Sequence, residues 1–186
     1  LLVVIGGILV YVARSPEGDG TPSDRGVNFP GVGSELTALR LEPLTGDGEP
    51  LELSDLRGKV AVVNFWGPWC YFCRKELPHL EAMNRRFAAS EGVQMAFVTY
   101  GSSRQQDTAS LREDTEACLA ELNVTVPTHF DPNAKSLEAL ARDAQLPNIG
   151  FPITVVLDRN AIIRGLWIGY LPGEEAALEA LVKQLL

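Results

Sequence analysis

The stretch KVAVVNFWGPWCYFCRKELP, residues 59–78, holds a strand, a break and a helix start in immediate succession. Residues 59–66 are a continuous apolar, β-branched run, the pattern of a central strand buried on both faces. Gly67 and Pro68 interrupt it. From Cys70 to about residue 89 the spacing turns helical, with Leu77, Leu80, Met83, Asn84 and Phe87 near one face. Pro78 lies inside that pattern and withdraws a backbone donor, so a kink is expected there. Cys70 then falls at the helix N-terminus and Cys73 one turn inside it. Two sulfurs at that spacing can close a disulfide. The roughly half positive charge at a helix N-terminus favours a thiolate. Cys70 is therefore the expected low-pKa attacking thiol, and Cys73, more covered, the resolving one. A lone C-x-x-C also describes half a zinc site, but no second C-x-x-C or C-x-x-H occurs in the chain.

Working outward, residues 36–41 and 51–53 read as two short strands around the turn-forming run 43–48, an N-terminal hairpin. Strands follow at 93–99 and 128–130, separated by a polar loop at 101–107 and a helix at 109–122. A helix is expected at 135–145, a hairpin at 153–157 and 161–168 around Asp158, Arg159 and Asn160, and an amphipathic helix at 173–186. Strands alternating with helices predict an α/β fold: a mixed sheet covered on both faces.

The chain has 186 residues, 46% hydrophobic and 22% charged, enough for one sizeable core. Its net charge is −8 and no basic run occurs, which excludes nucleic acid as a natural partner. Residues 1–13, LLVVIGGILVYVA, carry no charge. As a helix they span roughly 20 Å against a hydrocarbon core of ~30 Å. With Leu and not Met at position 1, they are expected to be a truncated membrane anchor, with a signal segment or a core helix as the alternatives. Residues 14–34, rich in Ser, Pro, Gly and Asp, read as a flexible linker, and residues 35–186 as the folded domain.

Residues 58–78 resemble the thioredoxin-like thiol–disulfide oxidoreductases of the TlpA/ResA/CcmG type, through the pattern W-C-x-x-C-[RK]-x-E-x-P. The resemblance covers residues 35–186. It implies a thioredoxin-like fold with an N-terminal β-hairpin and a central insertion. It further implies an enzyme anchored in the bacterial cell envelope, its domain on the extracytoplasmic or periplasmic side, associated with cytochrome c maturation and related disulfide reduction. The implied substrates are protein thiols and disulfides, such as apocytochrome or copper-site cysteines. The implied electron source is a membrane protein, and the only redox group is the Cys70–Cys73 disulfide itself, with no further cofactor. By the same resemblance Cys70 is the nucleophile and Cys73 the resolving thiol.

Glu76 matches the family's acidic residue three positions after the second cysteine. Three residues on is the same helix face, so its carboxylate could exchange a proton with Cys73; the alternative is an ordinary solvated glutamate. Asn64 stands where thioredoxins proper carry a buried Asp. Pro152, after Phe151, matches the family's cis-proline, beside which the Phe151 backbone would be free to pair with a substrate strand. Ile153 stands where the family often has Thr. One departure is marked: the family usually has Pro where this chain has Phe72. Tyr71 and Phe72 instead present aromatic surface beside the thiols. Trp66 and Trp69 are expected to shape the site, and Trp69, Tyr71, Phe72 and Phe151 to contact substrate.

Cys118 sits on the apolar face of its helix with Leu111, Thr115 and Leu122, as a buried inert thiol or a third redox thiol. Arg74 and Lys75 either favour the thiolate or form a solvated face. His79 and His129, with the cysteine pair, suggest the rival function, a copper-binding and delivery module built on soft thiolate and imidazole ligands. A peroxidase on the same fold ranks last, because no T-x-x-C precedes Cys70.

Overall fold

The computed structural model describes residues 2–5, 8–11, 25–103 and 107–186. The rest of the expected anchor, residues 14–24 of the expected linker and three residues of the 101–107 loop lie outside the described residues. Within the uncharged N-terminal stretch, strands β1 (Leu2–Ile5) and β2 (Ile8–Tyr11) pair antiparallel, Leu2 opposite Tyr11 and Ile5 opposite Ile8. Its Val- and Ile-rich composition suits a strand. No helix among the described residues is long and apolar enough to cross a membrane.

The domain is built on seven strands: β3 (Arg40–Thr45), β4 (Leu51–Glu52), β5 (Val60–Trp66), β6 (Val93–Thr99), β7 (Thr128–Phe130), β8 (Ile153–Leu157) and β9 (Ile163–Ile168). They form one sheet in the order β4-β3-β7-β6-β5-β8-β9. β5, β6 and β7 run parallel, and the remaining neighbours are antiparallel. Every residue of β5 is buried, as its unbroken apolar run requires. Its side chains alternate between two cores. Ala61, Val63 and Phe65 join Leu137 and Leu140 of α4 (Lys135–Asp143). Val60, Val62 and Trp66 join the opposite core, with Leu77 and Leu80 of α2 (Tyr71–Phe87), Leu119 of α3 (Thr108–Leu122) and Leu178 and Val182 of α5 (Glu174–Leu185). The sheet is therefore covered on both faces. α2 runs through Pro78 as one helix.

Three details depart from the sequence reading. The first domain strand lies at Arg40–Thr45 and not at 36–41, and it runs through Pro43. A register shift against β7 between Pro43 and Thr45 accommodates the missing donor, and the buried hydroxyls of Thr45 and Thr128 bond at 2.7 Å. Next, β4 is two residues long and gives way to a short helix, α1 (Leu53–Leu56), closed by a reciprocal Glu52–Asp55 capping box. Finally, the segment expected to be linker up to residue 34 is already part of the domain from Arg25. Gly33 N donates to Ile163 O at 2.8 Å, Ile163 N to Ser34 O at 2.9 Å and Leu166 N to Gly26 O at 3.0 Å. This backbone covers the open edge of β9, whose donors and acceptors would otherwise face solvent. A Cβ on Gly26 would lie 1.9 Å from the Trp167 indole, so only glycine passes so close to that ring.

Candidate active site

β5 delivers the chain to the turn Gly67–Trp69, and the turn sets the cysteines. The Trp69 indole donates Nε1–H to the Tyr100 carbonyl at 3.0 Å, folding across Gly67. A Cβ on Gly67 would lie 2.5 Å from that nitrogen and 2.7 Å from that carbonyl oxygen, so this approach requires glycine. Cys70 N then bonds Gly67 O at 3.0 Å. Cys70 is the N-cap of α2, with extended backbone, and its Sγ accepts the Cys73 N–H at 3.2 Å. A sulfur that already accepts a helix N–H is one where developing thiolate charge is stabilised. The two cysteines are joined in a disulfide with Cα atoms 5.2 Å apart. Cys70 is 6% exposed and Cys73 1%.

Glu76, one turn beyond Cys73 on α2, is buried rather than solvated. Its Oε2 accepts from Asn64 Nδ2 at 2.9 Å and its Oε1 from the Thr154 hydroxyl at 2.9 Å; Asn64 also donates to Thr154 Oγ1 at 2.8 Å. Burial pushes the Glu76 carboxyl up to about 7. The Thr154 and Asn64 bonds oppose that rise, and Glu174 and Glu175 add to it. A carboxyl pushed up to about 7, one turn beyond Cys73, suits the carrying of a proton.

The Phe151–Pro152 peptide is cis, and the Pro152 carbonyl accepts the Gly169 N–H at 2.7 Å. Phe151 meets Trp69 edge-on at 5.6 Å between centroids and Tyr100 at 5.4 Å. Tyr100 is anchored by its hydroxyl, which donates to Asp131 at 2.5 Å, while Asp131 caps α4 through the N–H groups of Ser136 and Leu137. Around this half-buried frame Trp69, Tyr71 and Phe72 are 49%, 66% and 53% exposed, and Ile149 and Leu171 are exposed as well. Tyr71 and Phe72 touch edge-to-face, with Lys75 Nζ over the Tyr71 ring. The exposed aromatic rings that flank the disulfide in sequence, Trp69, Tyr71 and Phe72, offer a contact surface. Trp66, by contrast, is wholly buried and acts as packing.

The remaining candidates lie elsewhere or are engaged. Cys118 is buried, with the Arg74 guanidinium 3.3 Å from its sulfur, and burial pushes its thiol up. Arg74 also pairs with Glu121 at 2.5 Å. A groove of about 320 Å³ lined by Pro68, Trp69, Arg74, Cys118 and Glu121 opens beside the redox turn. His129 is buried, its Nε2 3.0 Å from the Glu49 carbonyl, and burial lowers its pKa. His79 stacks on Tyr170. Among the described residues no three of His, Cys, Asp and Glu gather as metal ligands. The sequence reading passed over Tyr100 and Thr154, and took Gly67 only as a break after the strand. Thr154 carried the one legible signal: it lies two residues past Pro152, at the start of β8.

A disulfide that closes at a helix N-terminus, with a titratable carboxyl behind it, performs two-electron exchange between dithiol and disulfide. This chain is a thiol–disulfide oxidoreductase with a thioredoxin-like fold. Residues 31–182 match the Redoxin family, and the chain belongs to it. It is 43% identical over 58 residues to thiol-disulfide oxidoreductase ResA of Bacillus subtilis, covering 31% of this chain and 32% of that one. It is 32% identical over 142 residues to thiol:disulfide interchange protein DsbE of Pseudomonas fluorescens, covering 74% of this chain and 67% of the relative. The crystal structure of a thioredoxin-family thiol:disulfide interchange protein from Chlorobium tepidum shares the fold. There the TM-score is 0.63, the identity 20%, and the coverage 82% of this chain and 95% of that one.

Proposed function

We propose that this protein is a disulfide reductase working outside the cytoplasm on protein substrates, with Cys70 as nucleophile, Cys73 as resolving thiol and Glu76 as proton carrier. The observation that carries the reading is the Cys70–Cys73 disulfide at the start of α2 with the Glu76 carboxyl one turn further on, buried between Asn64 and Thr154. In the reduced enzyme the Cys70 thiolate attacks a substrate disulfide and one substrate sulfur leaves as thiolate. Cys73 passes its proton to Glu76 and attacks the Cys70 sulfur of the mixed disulfide. The second substrate sulfur leaves, and Cys70–Cys73 is oxidised by two electrons. The couple is itself the electron carrier, with no added cofactor. Trp69, Tyr71, Phe72 and Phe151 bind the apolar residues flanking the substrate cysteine, and the substrate strand pairs with the Phe151 backbone beside Pro152.

The resemblance to the TlpA/ResA/CcmG type supports an envelope location, attachment through the uncharged N-terminal stretch and re-reduction by a membrane electron-donor protein. It also supports cytochrome c maturation or a related reduction as the setting. The test is a redox titration of the full chain in glutathione and dithiothreitol buffers, read by thiol labelling. A potential near thioredoxin's, about −270 mV, supports a reductase. A value of about −120 to −180 mV assigns the chain to oxidation or isomerisation, with Phe72 as the first suspect. The absence of a reversible couple would sink the reading.

A further inference from the structure

Arg25 opens the N-terminal segment that runs along β9, and its guanidinium reaches into the loop between β9 and α5. Nε bonds Glu174 Oε1 at 2.7 Å and Nη2 bonds Glu174 Oε2 at 2.8 Å, a two-pronged pair on a carboxylate that is 4% exposed. The same guanidinium donates to the Ile168 carbonyl at 3.0 Å. Glu174 Oε2 also accepts the Leu171 N–H at 2.8 Å. One arginine therefore ties together both ends of the loop 168–174.

That loop touches Pro152 at one point and the helix that carries Glu76 at another. Gly169 donates to the Pro152 carbonyl at 2.7 Å. Tyr170 stacks on His79, three residues beyond Glu76 on α2, with ring centroids 6.0 Å apart, and its hydroxyl lies 3.2 Å from Glu175 Oε2. We propose that Arg25 is a positioning residue of the redox site, acting through Glu174 on the proline loop and on Glu76. The proposal rests on the oxidoreductase reading for its consequence, and on these contacts for its geometry.

Asn64 from β5 and Thr154 from β8 bond Glu76, the charges that act on it are Glu174 and Glu175 from α5, and Tyr170 of the loop feels its charge in turn, while His79 on the same helix stacks on Tyr170. The two glutamates disfavour its ionised form. His79 Nδ1 lies 3.9 Å from Glu175 and offsets that charge only when protonated. Arg25 offsets Glu174 at every accessible pH. Without Arg25 a buried carboxylate stands uncompensated and Glu76 holds its proton to higher pH. The end of the N-terminal segment is thereby coupled to the proton step of the exchange.

The test uses the full chain in its oxidised form, with the Glu76 carboxyl followed by carbon NMR against pH. Arg25→Gln raises the midpoint by about half a pH unit, the size expected for one charge at medium range in a partly screened site. Glu174→Gln lowers the midpoint, and the double variant returns it toward that of the unaltered chain. Arg25→Lys, which keeps the charge, leaves it close to the original. The pH profile of disulfide exchange moves in the same direction in each variant. A midpoint unmoved by Arg25→Gln overturns the proposal, whether or not the melting temperature falls. Should Arg25→Gln fail to fold, an unmoved midpoint in Glu174→Gln overturns it equally. The NMR midpoint needs no turnover, so a chain without exchange activity refutes the proposed function and leaves this measurement standing.

Discussion

Asn64 Nδ2 donates to Glu76 Oε2 at 2.9 Å, joining the middle of the central strand to the helix that begins at the redox disulfide. Among the described residues no cation bonds this buried carboxyl; two neutral donors, Asn64 and Thr154, hold it. Neutral donors lower a carboxyl pKa less than an ion pair does, so burial wins and the group is pushed up to about 7. A charged partner here would lock Glu76 as carboxylate and remove its capacity to trade protons.

The stability of the fold follows from that value with a definite sign. Glu76 has a folded pKa of about 7, above its ordinary 4.5, so the folded state binds this proton more tightly than the unfolded chain. The contribution is full below about pH 4.5, is lost as pH rises toward 7, and is flat above that. The loss is about 3 kcal/mol. Urea denaturation of the oxidised chain across this range should show it, and Glu76→Gln should abolish that share of the slope. An unchanged slope in Glu76→Gln would mean the carboxyl is not the titrating group.

Thr154→Val removes a hydrogen bond that holds the Glu76 pKa down. The Glu76 midpoint moves up from about 7, and the pH at which disulfide exchange reaches half its maximal rate moves up with it. Stability falls by about 1–2 kcal/mol from the lost buried bond. Stopped-flow exchange against pH, paired with carboxyl NMR, checks both parts.

The two cysteines should behave unequally. Cys73→Ser leaves Cys70 able to attack and unable to be released, so a mixed disulfide with glutathione or substrate accumulates and is visible by mass spectrometry. Cys70→Ser forms no such adduct, because Cys73 is 1% exposed. Equal adduct formation by both variants would reverse the assigned roles.

Replacing Tyr71 and Phe72 together by Ser should leave stability within about 0.5 kcal/mol, since both side chains are largely exposed. KM for a disulfide peptide with apolar flanks should rise about tenfold, a loss of about 1.4 kcal/mol of binding, with kcat much less affected. An unaltered KM would remove these aromatics from substrate recognition.

Gly67→Ala places a methyl where the Trp69 indole and the Tyr100 carbonyl already lie. The Trp69–Tyr100 bond breaks and stability drops by about 1–3 kcal/mol. Denaturation curves measure the loss, and a change in tryptophan emission that disappears in a Trp69→Phe background assigns it to that ring.

The sequence by itself determined the central strand, the helix start and the cysteine pair, because each is a local pattern. An unbroken apolar run has only the buried interior to occupy, and a C-x-x-C straddling the first helical turn has its spacing fixed by covalent geometry. It also pointed to Glu76 and Pro152, through resemblance. Only the tertiary structure decided what those residues face. Whether Glu76 is solvated or buried depends on Asn64 and Thr154, which arrive from strands 12 and 78 residues away. That Arg25 belongs to the domain depends on an unpaired edge at β9, which a linker-like composition conceals. The shifted first strand has a similar cause: Pro43 sits where the pairing with β7 changes register. Local pattern fixes an element, and its long-range neighbours fix its charge state and its edges.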